Sequence, residues 1–204
     1  EQLGRAALRG TRANFPPGSL EVASVASNLA TGLQNLRKYE EADALFQEAL
    51  TIRRRVFPPG HRVMAQALFN LGFVKVRRGE NDAATALLDE AIRAYEQLDG
   101  PDCNAVLKCR ATLARVERTY DPAKAERTLV AVIAAQRRAN PVGDFDLTVS
   151  LQDLGDLLER RGDVAGAANL YREAMPILDR ILPPEHVSVI GCRQSYATFC
   201  WRLG

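Results

Sequence analysis

Along most of the chain, apolar residues recur at intervals of three and four, while charged and amide residues occupy the remaining positions. Leu68, Leu71 and Gly72 are followed by Ala84, Leu87, Leu88 and Ala91, and the same spacing returns from one stretch to the next. That is the 3.6-residue period of amphipathic helices, each burying one face. Polar turns such as Arg78-Gly79-Glu80-Asn81 and Arg161-Gly162-Asp163 separate the helices within a pair. The glycine supplies the left-handed conformation that closes the first helix. Asp121-Pro122 instead caps and starts a helix, since Pro is pre-shaped for the first helical position.

The pattern is periodic on a longer scale. Phe15-Pro16-Pro17-Gly18 and Phe57-Pro58-Pro59-Gly60 lie 42 residues apart, and Leu182-Pro183-Pro184-Glu185 follows 125 residues after the second. Blurred members stand between them at Gly100-Pro101-Asp102 and Val142-Gly143-Asp144. Proline cannot donate to a helix ladder and disfavours helix in the residue before it, so each corner stops a helix. In the same register Asn28-Leu29-Ala30 matches Asn70-Leu71-Gly72, Thr112-Leu113-Ala114, Asp153-Leu154-Gly155 and Ser195-Tyr196-Ala197. Ala42, Ala84, Ala125 and Ala167 also fall in step, with a one-residue deletion near Tyr120-Asp121. A small residue recurring at a fixed place marks a close helix crossing, where anything larger overpacks. The expectation is about nine helices and no sheet.

Composition narrows the classes without naming a function. Apolar residues make up 47% and charged residues 25% of 204, as in a folded domain, and the net charge of +2 gives no bulk reason to bind nucleic acid or a membrane surface. No run reaches the roughly 18 apolar residues of a membrane span. The opening Glu1, with no signal-like segment after it, suggests an upstream portion. Cys103, Cys109, Cys192 and Cys200 show no Cys-x-x-Cys spacing and read as small core residues in a reducing compartment. The expected location is the cytoplasm, or an organelle after removal of a targeting segment.

Asn28-Leu29-Ala30, Tyr39-Glu40-Glu41-Ala42, Phe46 and Ala49-Leu50 together resemble the tetratricopeptide repeat. The 42-residue period and the Pro-Pro-x-His corners at His61 and His186 resemble its kinesin light chain-type subclass. The resemblance implies an all-α fold, a right-handed α-α superhelical solenoid of helix-turn-helix repeats. In it residues 1–19 are the second helix of a truncated repeat. Repeats 1 to 4 occupy 20–61, 62–103, 104–144 and 145–186, and 187–204 is the first helix of another truncated repeat. The pattern is departed from at Arg37, where the turn glycine is missing, and at Thr128-Leu129, where the aromatic is missing.

In such arrays the first helices line the concave face, so the resemblance assigns inward positions, and helical spacing groups them. Repeat 1 offers Ser24, Ser27, Asn28, Thr31, Gln34 and Asn35; repeat 2 offers Gln66, Phe69, Asn70, Phe73 and Arg77. Repeat 3 supplies Lys108, Thr112, Arg115 and Arg118, and repeat 4 Gln152, Asp153, Asp156 and Glu159. Asn28 and Asn70 suit an extended peptide, since an amide pairs with both backbone N–H and C=O, and Asn35 is counted with the same groove. Phe69 and Phe73 offer an apolar anchor, Lys108, Arg115 and Arg118 attract an acidic segment, and Arg77 is counted with the same groove. Asp153 either pairs internally or receives a basic residue. Ser27 and Thr31 stand where a carboxylate-clamping subtype needs Lys and Asn, so that subtype is not expected.

Nothing points to catalysis. No Ser/His/Asp or Cys/His set recurs on one face, no phosphate-binding loop is present, and the two histidines sit in corners, where capping is the simpler role. Asp153, Asp156 and Glu159 share a face that suits a solvated surface better than a cation. No metal and no cofactor are expected. The expected function is a non-catalytic adaptor or scaffold, binding a protein or peptide with an acidic and apolar segment in its groove, with further association through the truncated ends. Two alternatives are an architectural subunit of a large assembly and the regulatory repeat region of a larger enzyme.

Overall fold

A computed structural model describes residues 1–203. Those residues form ten helices, where nine were expected, and no strand: α1 (Gln2–Asn14), α2 (Leu20–Asn35), α3 (Tyr39–Val56), α4 (Arg62–Arg78), α5 (Asn81–Asp99), α6 (Asn104–Tyr120), α7 (Pro122–Ala139), α8 (Phe145–Arg160), α9 (Val164–Ile181) and α10 (Val187–Leu203). Ten is also the number the repeat assignment implies, two helices in each of four repeats and one at each end, so the figure of about nine was one short. Residues 1–116 and 117–204 form two compact units, and α6 begins in the first and ends in the second. In the N-terminal unit α1 packs on α2, α2 on α3, α3 on α4 and α4 on α5, and in the C-terminal unit α7 packs on α8, α8 on α9 and α9 on α10.

The corners end their helices as their chemistry requires. Phe15, Phe57 and Leu182, each followed by Pro-Pro, leave the helix for extended backbone. Histidine does the capping at the next helix start: His61 Nδ1 accepts the Val63 N–H at 3.1 Å, and His186 Nδ1 accepts that of Ser188 at 3.1 Å. Asp121 Oδ1 accepts the Lys124 N–H at 2.9 Å ahead of Pro122. Ala42, Ala84, Ala125 and Ala167 are completely buried. Beside two of them the first helix also has no room: a Cβ on Gly72 would sit 3.0 Å from Leu88, and one on Gly155 would sit 2.6 Å from the Tyr171 ring.

Arg37 adopts φ 60, the left-handed turn conformation that Gly79 (φ 77) and Gly162 (φ 86) take without a Cβ. An L-residue there costs about 1–2 kcal/mol, against about 0.5–1 kcal/mol for the extra chain freedom of glycine. Arg37→Gly is therefore expected to stabilise the chain by about 0.5–1 kcal/mol, read as a higher denaturation midpoint at unchanged m-value.

Two features of the packing are absent from the apolar pattern. Arg12–Glu48, Arg54–Glu90 and Arg137–Glu173 join second helices of neighbouring repeats, each pair offset by 36 residues, at 2.6, 3.6 and 2.6 Å. Each is solvent-exposed and contributes at most about 1 kcal/mol. The second feature is a buried charge cluster between repeats 1 and 2. Asp43 meets Lys75 at 2.9 Å and Arg78 at 2.7 Å, and Glu80 closes the ring to Lys75 at 2.7 Å and Arg78 at 3.0 Å. Glu80, a turn residue that reads as an inert surface position in the sequence, is thus a structural carboxylate.

Cys109 and Cys192 are buried, Cys103 is half-buried and all four thiols are unpaired. Cys200 departs from the core role expected of it, because it lies on the exposed side of α10.

Candidate functional site

In the N-terminal unit α2 and α4 present a line of half-exposed side chains that the core does not use. On α4 the apolar stripe Met64, Ala67, Leu68, Leu71 and Val74 faces inward, which turns Gln66, Phe69, Asn70, Phe73 and Arg77 the other way. Phe69 and Phe73 lie 6.4 Å apart with their rings tilted by 53°, and the Arg115 guanidinium of α6 sits 5.9 Å over the Phe73 ring. Phe69 also packs against the core, so it is half anchor and half wall. Arg77 is held over Tyr39 of α3, 5.4 Å from the ring centroid, and donates to its hydroxyl at 3.1 Å.

Two recesses open on this face. One, of about 170 Å³, is lined by Gln66, Phe69, Tyr95, Ala105 and Lys108. The other, of about 230 Å³, is lined by Ser27, Asn28, Thr31, Gln66, Asn70 and Arg53. Gln66 divides them: its amide donates to Asn70 Oδ1 at 2.8 Å, and its carbonyl accepts the Tyr95 hydroxyl at 3.2 Å. Burial pushes Tyr95 up to about 12, so it stays a protonated donor.

A profile of the tetratricopeptide repeat family matches residues 21–97 and 63–138, and a second profile of the same description matches 147–188. The chain belongs to the tetratricopeptide repeat family. No curated protein sequence matches it. Among solved structures it is similar to the kinesin light chain TPR-like repeats from Podosopora anserina, at 19% identity and TM-score 0.66, covering 93% of this chain and 89% of that one. It is also similar to BtubC (BKLC) from P. vanneervenii, at 17% identity and TM-score 0.68, covering 98% and 87%. A Rap protein complexed with Competence and Sporulation Factor shares the fold at TM-score 0.81 and 13% identity, and this chain spans about half of it (98% and 54%). These likenesses show the fold, a tetratricopeptide solenoid. Such arrays are generally non-catalytic modules for protein interaction.

The tetratricopeptide first helices do not gather all the expected site residues. In the N-terminal unit Asn28, Phe69, Asn70 and Lys108 line the two recesses, Phe73 stands next to Phe69 with Arg115 over its ring, and Arg77 lies apart over Tyr39. Asn35 is exposed at the last turn of α2 and lines neither. Arg118 and Asp153 belong to the C-terminal unit. There the acidic face is engaged: Asp156 accepts the Tyr171 hydroxyl, Glu159 pairs with Arg202 at 2.7 Å, and Asp153 also has a partner. Among the described residues no group of three His, Cys, Asp or Glu is placed to hold a metal ion. No described helix is long and apolar enough to cross a membrane.

Reasoning from first-helix spacing missed Tyr95 and Arg53. Both come from second helices, α5 and α3, and enter the recesses from the side. Tyr95 carried a usable signal, since it is an aromatic at an otherwise core-facing position of its helix. Arg53 is one of three consecutive arginines, and nothing local distinguishes it from Arg54 and Arg55.

Proposed function

We propose that this tetratricopeptide module works as an adaptor that holds an extended segment of a partner protein along α2, α4 and α6 of its N-terminal unit. The observation that carries this is the Phe69–Phe73 pair, half-exposed, with Arg115 over the Phe73 ring and Phe69 lining one of the two recesses that meet at Gln66. An apolar anchor ringed by polar groups is the arrangement in which a few residues dominate binding. Asn28 and Asn70 are spaced along the same line to pair with a peptide backbone. Lys108 and Arg115 favour acidic residues beside the anchor. The Rap protein of the same fold, solved with a bound factor, supports a binding role. A reducing location, the cytoplasm first, suits four unpaired thiols. Association through the outermost helices belongs to the same proposal, since Trp201 on α10 is 83% exposed.

The test is a peptide-array screen with the whole chain, followed by titration of the best ligand against Phe73→Ala and Arg115→Ala at two salt concentrations. Phe73→Ala is expected to weaken binding roughly 30-fold or more, mainly through faster dissociation. Arg115→Ala is expected to cost only a few-fold, shrinking in high salt. Because Arg115 packs on Phe73, the double variant should cost less than the two singles combined. Unchanged affinity in both variants would move the partner to another face and favour the architectural alternative.

A further inference from the structure

The larger recess contains a charge with no counter-charge. Arg53 leaves the last turn of α3 half-buried, and its guanidinium has neither ion pair nor hydrogen bond among the described residues. Its neighbour Arg54 faces the other way and pairs with Glu90. Arg5 and Arg110, which are also half-buried, each pair with a glutamate, Glu41 and Glu96. Burial alone pulls Arg53 below the usual arginine range, and nothing opposes that pull.

Its surroundings supply donors rather than a partner. Ser27 is only 7% exposed, and its hydroxyl makes no hydrogen bond. Thr31 does not relieve it, because the Thr31 hydroxyl donates to the Ser27 carbonyl instead, at 3.0 Å. The Asn28 amide is also without a partner among the described residues. Asn70 accepts from Gln66 through Oδ1, which leaves its NH₂ group to donate into the recess. A buried polar group without a partner costs roughly 1–3 kcal/mol, so a recess with an uncompensated guanidinium and an unsatisfied hydroxyl is incomplete as it stands.

We infer that this recess is a monoanion site, in which Arg53 and Ser27 receive a carboxylate of the bound peptide while Asn28 and Asn70 hold the flanking backbone. The guanidinium fork matches the two oxygens of a carboxylate, and the hydroxyl supplies a further donor to the same group. One cation among neutral groups balances a single negative charge, whereas a phosphate carries nearly two. The site rests on the groove proposed above and adds to it the chemistry of one subsite. The acid-reading group is thereby a second-helix arginine behind the groove, in addition to the first-helix cations at its surface. An acidic side chain and a chain-terminal carboxylate share this chemistry.

Two experiments test it on the whole chain. In the first, N-acetyl-aspartate N-methylamide is titrated while the Arg53 Nε–H resonance is followed, with N-acetyl-asparagine N-methylamide and O-phosphoserine as comparison probes. The expected result is a saturable shift with the aspartate derivative, none with the asparagine derivative, and weaker binding of phosphoserine. In the second, array peptides are compared as Asp or Glu versus Asn or Gln, and as free versus amidated C-termini. One of these two neutralisations is expected to weaken binding roughly ten- to a hundredfold in the parent chain, as loss of a charge-assisted hydrogen bond does. Which of the two does so identifies the carboxylate. In Arg53→Gln that neutralisation should have at most the few-fold, salt-sensitive effect left by Lys108 and Arg115, while Arg55→Gln, the exposed arginine two residues on, should keep the full preference.

Peptides whose ten- to hundredfold acid preference survives Arg53→Gln undiminished would overturn the site and leave the groove standing. A shift of Arg53 by the aspartate probe with no peptide bound along Phe73 would leave the site standing without the groove. Tighter phosphoserine binding would overturn the carboxylate assignment.

Discussion

Asp43→Ala is expected to destabilise the N-terminal unit by about 3–5 kcal/mol, the range for breaking a buried ion pair by deleting one partner. Asp43 is 5% exposed and is the hub of the cluster, taking Lys75 from one side, Arg78 from another and the Gln47 amide at 2.8 Å. The four charges Asp43, Lys75, Arg78 and Glu80 sum to zero. Deleting the deepest carboxylate leaves two cations sharing Glu80, one of them largely out of water. Chemical denaturation of the full chain measures the loss. Asp43→Leu combined with Lys75→Met should recover much of it, since an apolar replacement of a whole pair is often neutral. A loss under 1 kcal/mol for Asp43→Ala would mean that the cluster is open to water.

The same cluster predicts a pH profile. The hydrogen bond from Lys75 holds Glu80 below the ordinary carboxylate value of 4.5. Its contribution is present above the unfolded value and is lost as pH falls through the lower folded one. For Lys75 burial pulls downward most strongly, but the bonds to Glu80 and Asp43 outweigh it and raise the group above 10.5. Its contribution is present below that value and is lost as pH rises through the folded one. Between the two limits the melting temperature should be flat, and Glu80→Gln should blunt the acid limb selectively.

How much of this was legible in the sequence depends on whether the determining contact lies inside one repeat or between two. The corners, the His61 cap and the crossing alanines are set by residues within a few positions of each other, and the 42-residue register displayed them several times over. Asp43 could not be read that way. It stands beside Ala42 in a polar helix start and looks solvated, and its partners are 32 and 35 residues further on, in the next repeat. Its register mates, Thr85, Glu126 and Ala168, carry different chemistry, so the repeat hides the cluster rather than reporting it. The groove followed the same rule. First-helix spacing groups Phe69, Asn70 and Phe73 on one face of α4 and places Asn28 at the matching position of α2. Arg53 and Tyr95 belong to other helices, and only the packing of α3 and α5 against α4 brings them to the recesses.

The alanine register itself carries the second large effect. Ala84→Phe is expected to destabilise by about 3 kcal/mol, the upper part of the range for overpacking a close-packed core. Ala84 is completely buried on α5, and Leu88, one turn along, already stands so close to α4 that Gly72 has no Cβ to spare. Fitting a ring there requires α4 and α5 to separate, which breaks contacts on both sides of the crossing. The control is Ala86→Phe, the same substitution two residues away on the exposed side of the same helix. It carries the same change in helix propensity and differs only in what the ring meets, so it should stay within about 0.5 kcal/mol of the parent. Equal denaturation midpoints for the two variants would show that α5 is rotated from the position described, and the shared register of Ala42, Ala125 and Ala167 would then need the same revision.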